Sequence, residues 1–156
     1  MKRFAFIIGL GLLCFFGLGS CHSKKSDSVL LSKEFNSSEW ERFEFITNEL
    51  EIKKPTTYDL SMKVTFDDAY PFDYLSVVFS VFDTEDNPLR SKSYKFNLKD
   101  GNGTWKSDNN QGLYTFNLPI NSEMSFQEPG TYVLQLENRM PTTPLNGIHD
   151  ISIVSK

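Results

Sequence analysis

The chain has 156 residues, of which 39% are apolar and 14% aromatic, with 14 Phe. That composition excludes a disordered, collagen-like or heptad-built chain, and the length leaves room for one sizeable core rather than two. A formal net charge of −4, from 16 basic against 20 acidic residues, excludes a nucleic-acid partner, which needs a concentrated basic surface.

At the start of the chain, Lys2 and Arg3 precede an uncharged run, Phe4 to Gly19, that ends in Leu18-Gly19-Ser20-Cys21. The basic end stays cytoplasmic, the apolar run enters the translocon, and the small Gly19 and Ser20 leave the bond before Cys21 open to a peptidase. Residues 1–20 are therefore expected to be a cleaved signal peptide, and the run is short for a bilayer span of about 20 residues. Without Lys2 and Arg3 the 16 basic residues become 14 against 20 acids, and the net charge moves from −4 to −6. The small-small-Cys ending resembles the lipobox of bacterial lipoproteins. That resemblance implies diacylglycerol on the Cys21 sulfur and acylation of its new amino group. A single chain holds marginally, at about 0.8 kcal/mol per buried CH₂, so two or more are needed for a stable anchor to the bilayer. With Cys14 removed and Cys21 a thioether, no thiol remains for a disulfide, a metal site or catalysis. The only cofactor expected is that covalent lipid.

Residues 21–28 form the expected tether. His22 to Ser28 are polar, include Lys24 and Lys25, and would reach roughly 25 Å when extended. Asp27-Ser28-Val29 resembles the Asp-Ser/Thr-aliphatic pattern that Bacteroidetes O-glycosylate on exported proteins, which makes Ser28 a candidate modification site.

From residue 29 to 156 the hydrophobic period is close to two, so the class expected is all-β in a single domain. Val29 to Phe35 and Phe43 to Leu50 are the weaker strands. In Tyr58 to Phe66 every odd member is apolar and every even one polar, one face for a core and one for water. Tyr74 to Phe82 is apolar almost throughout, as a central strand would be. Arg90 to Leu98, Leu113 to Leu118, Thr131 to Glu137 and Ile148 to Val154 complete the series. Turn formers separate the runs at Asp83 to Pro88, Asp100 to Gly103, Asp108 to Asn110, Pro129-Gly130 and Asn146-Gly147. Seven to eight short strands without a long helical stretch predict an immunoglobulin-like antiparallel β-sandwich, with a closed barrel as the alternative.

Little in the chain points to catalysis. A Ser-His-Asp arrangement would have to use His149, and no Gly-x-Ser-x-Gly elbow accompanies it. Asp67 and Asp68 close a strand, Asp73 follows, and Asp83, Glu85 and Asp86 share one turn; a pair of them could in principle cleave a glycoside, but proximity in a turn does not aim two acids at one sugar ring, and they are expected to be solvated or bonded to their own backbone. No calcium loop with alternating ligands and a closing Glu is present. Trp40 and Trp105 each lie beside a polar run and could stack on a pyranose, although an indole that plugs the end of a sandwich fits equally well. The sequons at Asn36 and Asn102 carry no weight beside a bacterial lipidation signal.

Several ordered motifs carry a resemblance: Phe43-Glu44-Phe45, Tyr58-Asp59-Leu60, Tyr70-Pro71-Phe72-Asp73-Tyr74-Leu75, and Phe96-Asn97-Leu98-Lys99-Asp100-Gly101-Asn102-Gly103-Thr104-Trp105. Pro129-Gly130-Thr131-Tyr132, Leu136-Glu137-Asn138-Arg139-Met140 and Leu145-Asn146-Gly147-Ile148-His149-Asp150-Ile151 follow in order. Over residues 21–156 the chain resembles the gliding-motility lipoprotein H (GldH) family of Bacteroidetes. The resemblance implies a non-enzymatic envelope lipoprotein tied to gliding and to type IX secretion, with no active site to transfer. Ser107 stands where the family usually has Gly, and Arg139-Met140 where it usually has Met-Arg. Both departures bear on loop shape and so on a shared contact surface.

The function expected is a membrane-anchored protein-interaction or scaffolding module whose partners are the bilayer, through Cys21, and other gliding or secretion proteins. Tyr70, Phe72 and Tyr74 around Pro71 are the candidate partner contacts, because aromatics supply interface area at low entropy cost. A glycan-binding lipoprotein that uses Trp40 or Trp105 is the alternative. Surface lipoproteins of this phylum tend to have acids directly after the lipidated cysteine. His22-Ser23-Lys24-Lys25 has none, so an outer-membrane position facing the periplasm is expected.

Overall fold

The computed structural model describes residues 27–156. The segment expected to be a signal peptide, Cys21 and the expected tether up to residue 26 lie outside the described residues. Among the described residues eleven strands run in chain order: β1 (Ser28–Glu34), β2 (Glu39–Trp40), β3 (Ile46–Ile52), β4 (Thr56–Asp67), β5 (Tyr74–Phe82), β6 (Pro88–Asn97), β7 (Asn109–Asn110), β8 (Leu113–Phe126), β9 (Gly130–Asn138), β10 (Leu145–Asn146) and β11 (Ile148–Ser155). Three of them, β2, β7 and β10, are two-residue pairings, which leaves eight long strands, within the number expected.

The long strands form two antiparallel sheets, β1-β11-β4-β8-β7 and β3-β9-β5-β6, beside the small pair β10-β2. One core joins the two sheets: Leu60, Met62, Val64 and Phe66 of β4, Ile151 and Ile153 of β11 and Phe116 of β8 pack with Leu75, Val77, Phe79 and Val81 of β5 and Leu134 and Leu136 of β9. This is a sandwich, as expected. Its strand order refines the immunoglobulin-like detail. Consecutive long strands alternate between the sheets until the β5–β6 hairpin, and the resulting orders of first-last-third-sixth and second-seventh-fourth-fifth are those of an eight-stranded jelly roll.

The apolar half of the alternation in Tyr58 to Phe66 is realised, since Leu60, Met62, Val64 and Phe66 are at most 1% exposed; the face expected to meet water does so only in part, because Ser61 and Thr65 are buried as well. Strand boundaries moved where backbone chemistry outweighed pattern. β1 begins at Ser28, the last residue assigned to the tether, and its pairing with Ser155 holds it in the sheet. Phe43-Glu44-Phe45 is not strand: Trp40 Nε1 donates to the Glu44 carbonyl at 2.8 Å and Glu44 N–H to the Glu41 carbonyl at 3.2 Å, closing a turn that ends at Ile46. β8 continues eight residues past Leu118 through Pro119 to Phe126. Its outer neighbour β7 pairs only with Tyr114 and Leu113. Pro119 therefore sits on an edge, where its missing N–H removes no ladder bond.

The two long sides of the sandwich differ. On one, β1 and β3 are latched by Asn48 Nδ2, which donates to the Leu30 carbonyl at 2.7 Å. On the other, Arg90 of β6 reaches across to β8, where its guanidinium meets the Met124 sulfur at 3.0 Å and the Ser125 carbonyl at 2.9 Å. Beneath that arm the sheets part to leave a cavity of about 170 Å³ lined by Phe79, Val81, Tyr94 and Met124, with Arg90, Lys92 and Asn121 at its polar side.

Candidate functional site

The expected contact residues are placed by the core. Tyr70 is 1% exposed, its ring lies 4.3 Å from that of Phe66, and its hydroxyl donates to the Tyr74 carbonyl at 2.8 Å. Burial, followed by the neighbouring Tyr74 and Asp73, raises its hydroxyl pKa far above the ordinary tyrosine value. Tyr70 is thus a core residue, and the expectation that it faces a partner is corrected. Phe72 and Tyr74 are half-buried, the Phe72 ring 6.0 Å from that of Tyr70 and the Tyr74 ring 5.8 Å from that of Phe72.

Neither tryptophan offers a bare face. Trp40 is 0% exposed, between Phe35 at 5.7 Å and its own hydrogen bond to Glu44. No sugar can reach it, which corrects its assignment to glycan stacking; it is the plug of that end of the sandwich. Trp105 is half-buried, stacked on Tyr114 at 4.5 Å and overlain by Lys99 Nζ at 4.2 Å, so the flat surface a pyranose needs is already taken up.

The turn acids also have local duties. Asp83 accepts from Asn87 Nδ2 and from the backbone N–H groups of Asn87 and Glu85, which hold its carboxyl below the ordinary range. Asp100 is lowered in the same way by the Thr104 and Asn102 N–H groups. His149 Nε2 lies 2.7 Å from Asp67 Oδ2, and Asp67 Oδ1 accepts the Ala69 N–H. The pair ties the start of β11 to the turn after β4. Ser28 is exposed at the head of β1, next to Asp27, whose carboxylate is held by Lys63 at 2.6 Å.

The feature that pattern reading passed over is β6. It is the outer strand of its sheet, and Pro88 to Ser93 are all exposed. Within Pro88–Asn97 there are three cations, Arg90, Lys92 and Lys95, and no acid. Among the described residues none of the three pairs with a carboxylate, whereas Lys33, Lys63 and Arg139 do. Instead Lys95 Nζ lies 4.0 Å over the Tyr74 ring and Lys92 Nζ 5.0 Å over that of Tyr94. Tyr94 and Phe96, two residues apart on the inner face, stack at 5.9 Å with an interplanar angle of 5°. Charge of the opposite sign collects elsewhere: Glu34, Glu39, Glu41 and Glu44 surround a groove of about 340 Å³ beside β1. Among its described residues an acidic protein thus carries a basic strip without carboxylate partners along an open sheet edge. A run of ten residues with three cations and no acid could have flagged it from the sequence; its position at an edge could not have been read there.

Among solved structures, the chain is similar to the VP2 subviral particle of infectious bursal disease virus, with 12% identity over 96% of this chain and 36% of that one and a TM-score of 0.30. This chain thus spans little more than a third of that one's length, and a score so low carries no argument. No curated protein matches the chain. A family model does match: that of the GldH lipoprotein, over residues 31–154, which takes in the domain from β1 to β11 and with it both sheets and the β6 edge. The chain belongs to the GldH lipoprotein family.

Proposed function

We propose that this protein is a non-catalytic interaction module of the gliding-motility and type IX secretion apparatus, carried on Cys21 lipid in the outer membrane and facing the periplasm. Membership of a lipoprotein family makes it a lipid-anchored envelope protein, and the family is not a known family of enzymes. The observation that carries the reading is the open basic edge of β6, a long exposed strand whose cations have no carboxylate partner among the described residues. A domain of this kind works by contact: the sandwich is the rigid support, the anchor confines it to the membrane plane, and the edge is the surface left to engage other proteins. The glycan-binding alternative loses its support with Trp40 buried and Trp105 covered.

Deletion and complementation in the source bacterium test the proposal. Deletion is expected to stop colony spreading or secretion through the type IX route. The wild-type chain restores it, and a Cys21→Ser chain, released from the membrane, does not. Unchanged spreading and secretion after deletion, or full rescue by Cys21→Ser, would overturn the reading.

A further inference from the structure

The β6 edge specifies the chemistry of what binds it, an inference that rests on the interaction role proposed above. Its backbone phase follows from one bond. Leu98 N–H donates to the Asp73 carbonyl at 2.8 Å, and the β5–β6 register runs without a shift from Tyr74↔Asn97 to Val81↔Arg90. In an antiparallel ladder the bonded pairs alternate. Arg90, Lys92, Tyr94 and Phe96 therefore bond inward to β5, while the N–H and C=O groups of Ser91, Ser93, Lys95 and Asn97 point away from the sheet.

Natural edges are kept from pairing by shortness, by charged side chains and lysine above all, by internal proline, by bulges or by a covering segment. From Arg90 to Asn97 this edge has no proline and no bulge, and its outward row begins with two serines, which leave room for a neighbour. What it does carry is charge. A second copy laid along β6 would bring three more cations to the same edge with no acid between them, which repels. An acidic strand would meet three cations that now have only aromatic rings or neutral acceptors for company. On the inner side, alternate residues of an added strand would face Lys92, Tyr94, Phe96 and the mouth of the 170 Å³ cavity.

We propose that the free edge of β6 binds an acidic, extended segment of a partner protein by strand addition, with acids of the segment against Lys95 on the outer face and its apolar residues over Tyr94 and Phe96, beside Lys92, on the inner face. An extended peptide repeats its donors and acceptors every second residue, about 7 Å apart, and so matches the outward row. A polyanionic glycan would satisfy the lysines and leave that row unpaired.

The test uses the full protein purified from membranes in nonionic detergent and three probes: a peptide of four Glu-Val repeats, one of four Lys-Val repeats, and polygalacturonate. The Glu-Val peptide is expected to bind with an affinity that falls as salt rises. On binding, the amides of Ser91, Ser93, Lys95 and Asn97 gain protection from hydrogen exchange and those between them do not change. The double variant Lys92→Glu with Lys95→Glu should weaken the peptide at least about tenfold while its melting temperature stays close to that of the wild type. Ser93→Pro, which removes one outward N–H, should do the same. If the proline variant does not fold, the charge variant and the protection pattern decide. Absence of Glu-Val binding, equal binding of Lys-Val, polygalacturonate binding as the stronger, or protection of the same amides by self-association alone would each overturn the proposal. None of these outcomes depends on spreading or secretion, so the broader role stands or falls separately.

Discussion

Replacement of Gly147 by alanine isolates a close backbone approach on which the His149 end of the fold depends. Gly147 has φ +75°, in the left-handed region where an L side chain costs roughly 1–2 kcal/mol. A Cβ there would lie 2.3 Å from Tyr70 N, 2.7 Å from Ala69 C and 2.8 Å from Asp67 Oδ1. Two of those atoms are backbone, so the turn after β4 has to retreat by about 1 Å, an overpacking that costs roughly 1–3 kcal/mol more. The retreat also strains the bonds from Asp67 N–H to the Gly147 carbonyl and from Gly147 N–H to the Ser38 carbonyl, 3.0 and 2.9 Å long. The expected loss is about 2–5 kcal/mol, or roughly 6–25 °C in melting temperature for a domain of this size. Gly112→Ala is the control, because Gly112 has φ +85° and nothing within 4 Å of an added Cβ. It should lose only the conformational part, about 1–2 kcal/mol. Urea unfolding of both variants at unchanged slope gives the comparison. Equal losses at the two positions would refute the argument that steric approach, rather than φ alone, fixes Gly147.

Trp40→Phe should lower stability by about 2–4 kcal/mol, from lost indole volume and an unanswered Glu44 carbonyl, measured by urea unfolding; a neutral result would mean that the indole does not plug the sandwich. Acid should weaken the fold. The carboxyls of Asp27, Asp83 and Asp100 are held below their ordinary value by Lys63, by Asn87 and by the Thr104 N–H respectively. Their contribution is therefore present above about pH 4 and is lost as pH falls through the lower folded values; Asp83→Asn should flatten part of that slope in a melting series between about pH 6 and pH 2. In alkali, burial keeps the Tyr70 hydroxyl protonated. Spectrophotometric titration should accordingly leave one tyrosine un-ionised until the fold opens, and in Tyr70→Phe that late step should vanish.

The core was legible because it is local. The alternation from Leu60 to Phe66 is written in consecutive residues, and so is the unbroken apolar run of β5, whose Leu75 and Val77 are 0% exposed. Pairing order was not, since Ser28 meets Ser155 and Thr56 meets Phe126 across most of the domain. No short window of sequence encodes which strands end as neighbours. The sequence also hid which aromatics face inward. Tyr70 and Phe43 each sit in polar surroundings in the chain, yet one is 1% and the other 80% exposed. Arg42 decides the second case by donating to the Met140 and Pro141 carbonyls, close to a hundred residues away in the chain, and so fixing the turn that leaves Phe43 outside. The cations of β6 were plain in the sequence, and only the sheet order made them an edge.

Site-specific photocrosslinking in intact cells tests the central claim most directly. A photoreactive residue would replace Ser93 on the β6 edge of the full chain, and another would replace Thr47 on β3, the opposite edge of the same sheet. The account predicts that the Ser93 position captures one discrete partner protein of the gliding or secretion machinery, that the Thr47 position does not, and that Lys92→Glu with Lys95→Glu abolishes the product. Capture from Thr47 alone, or the same products from both edges, would contradict it.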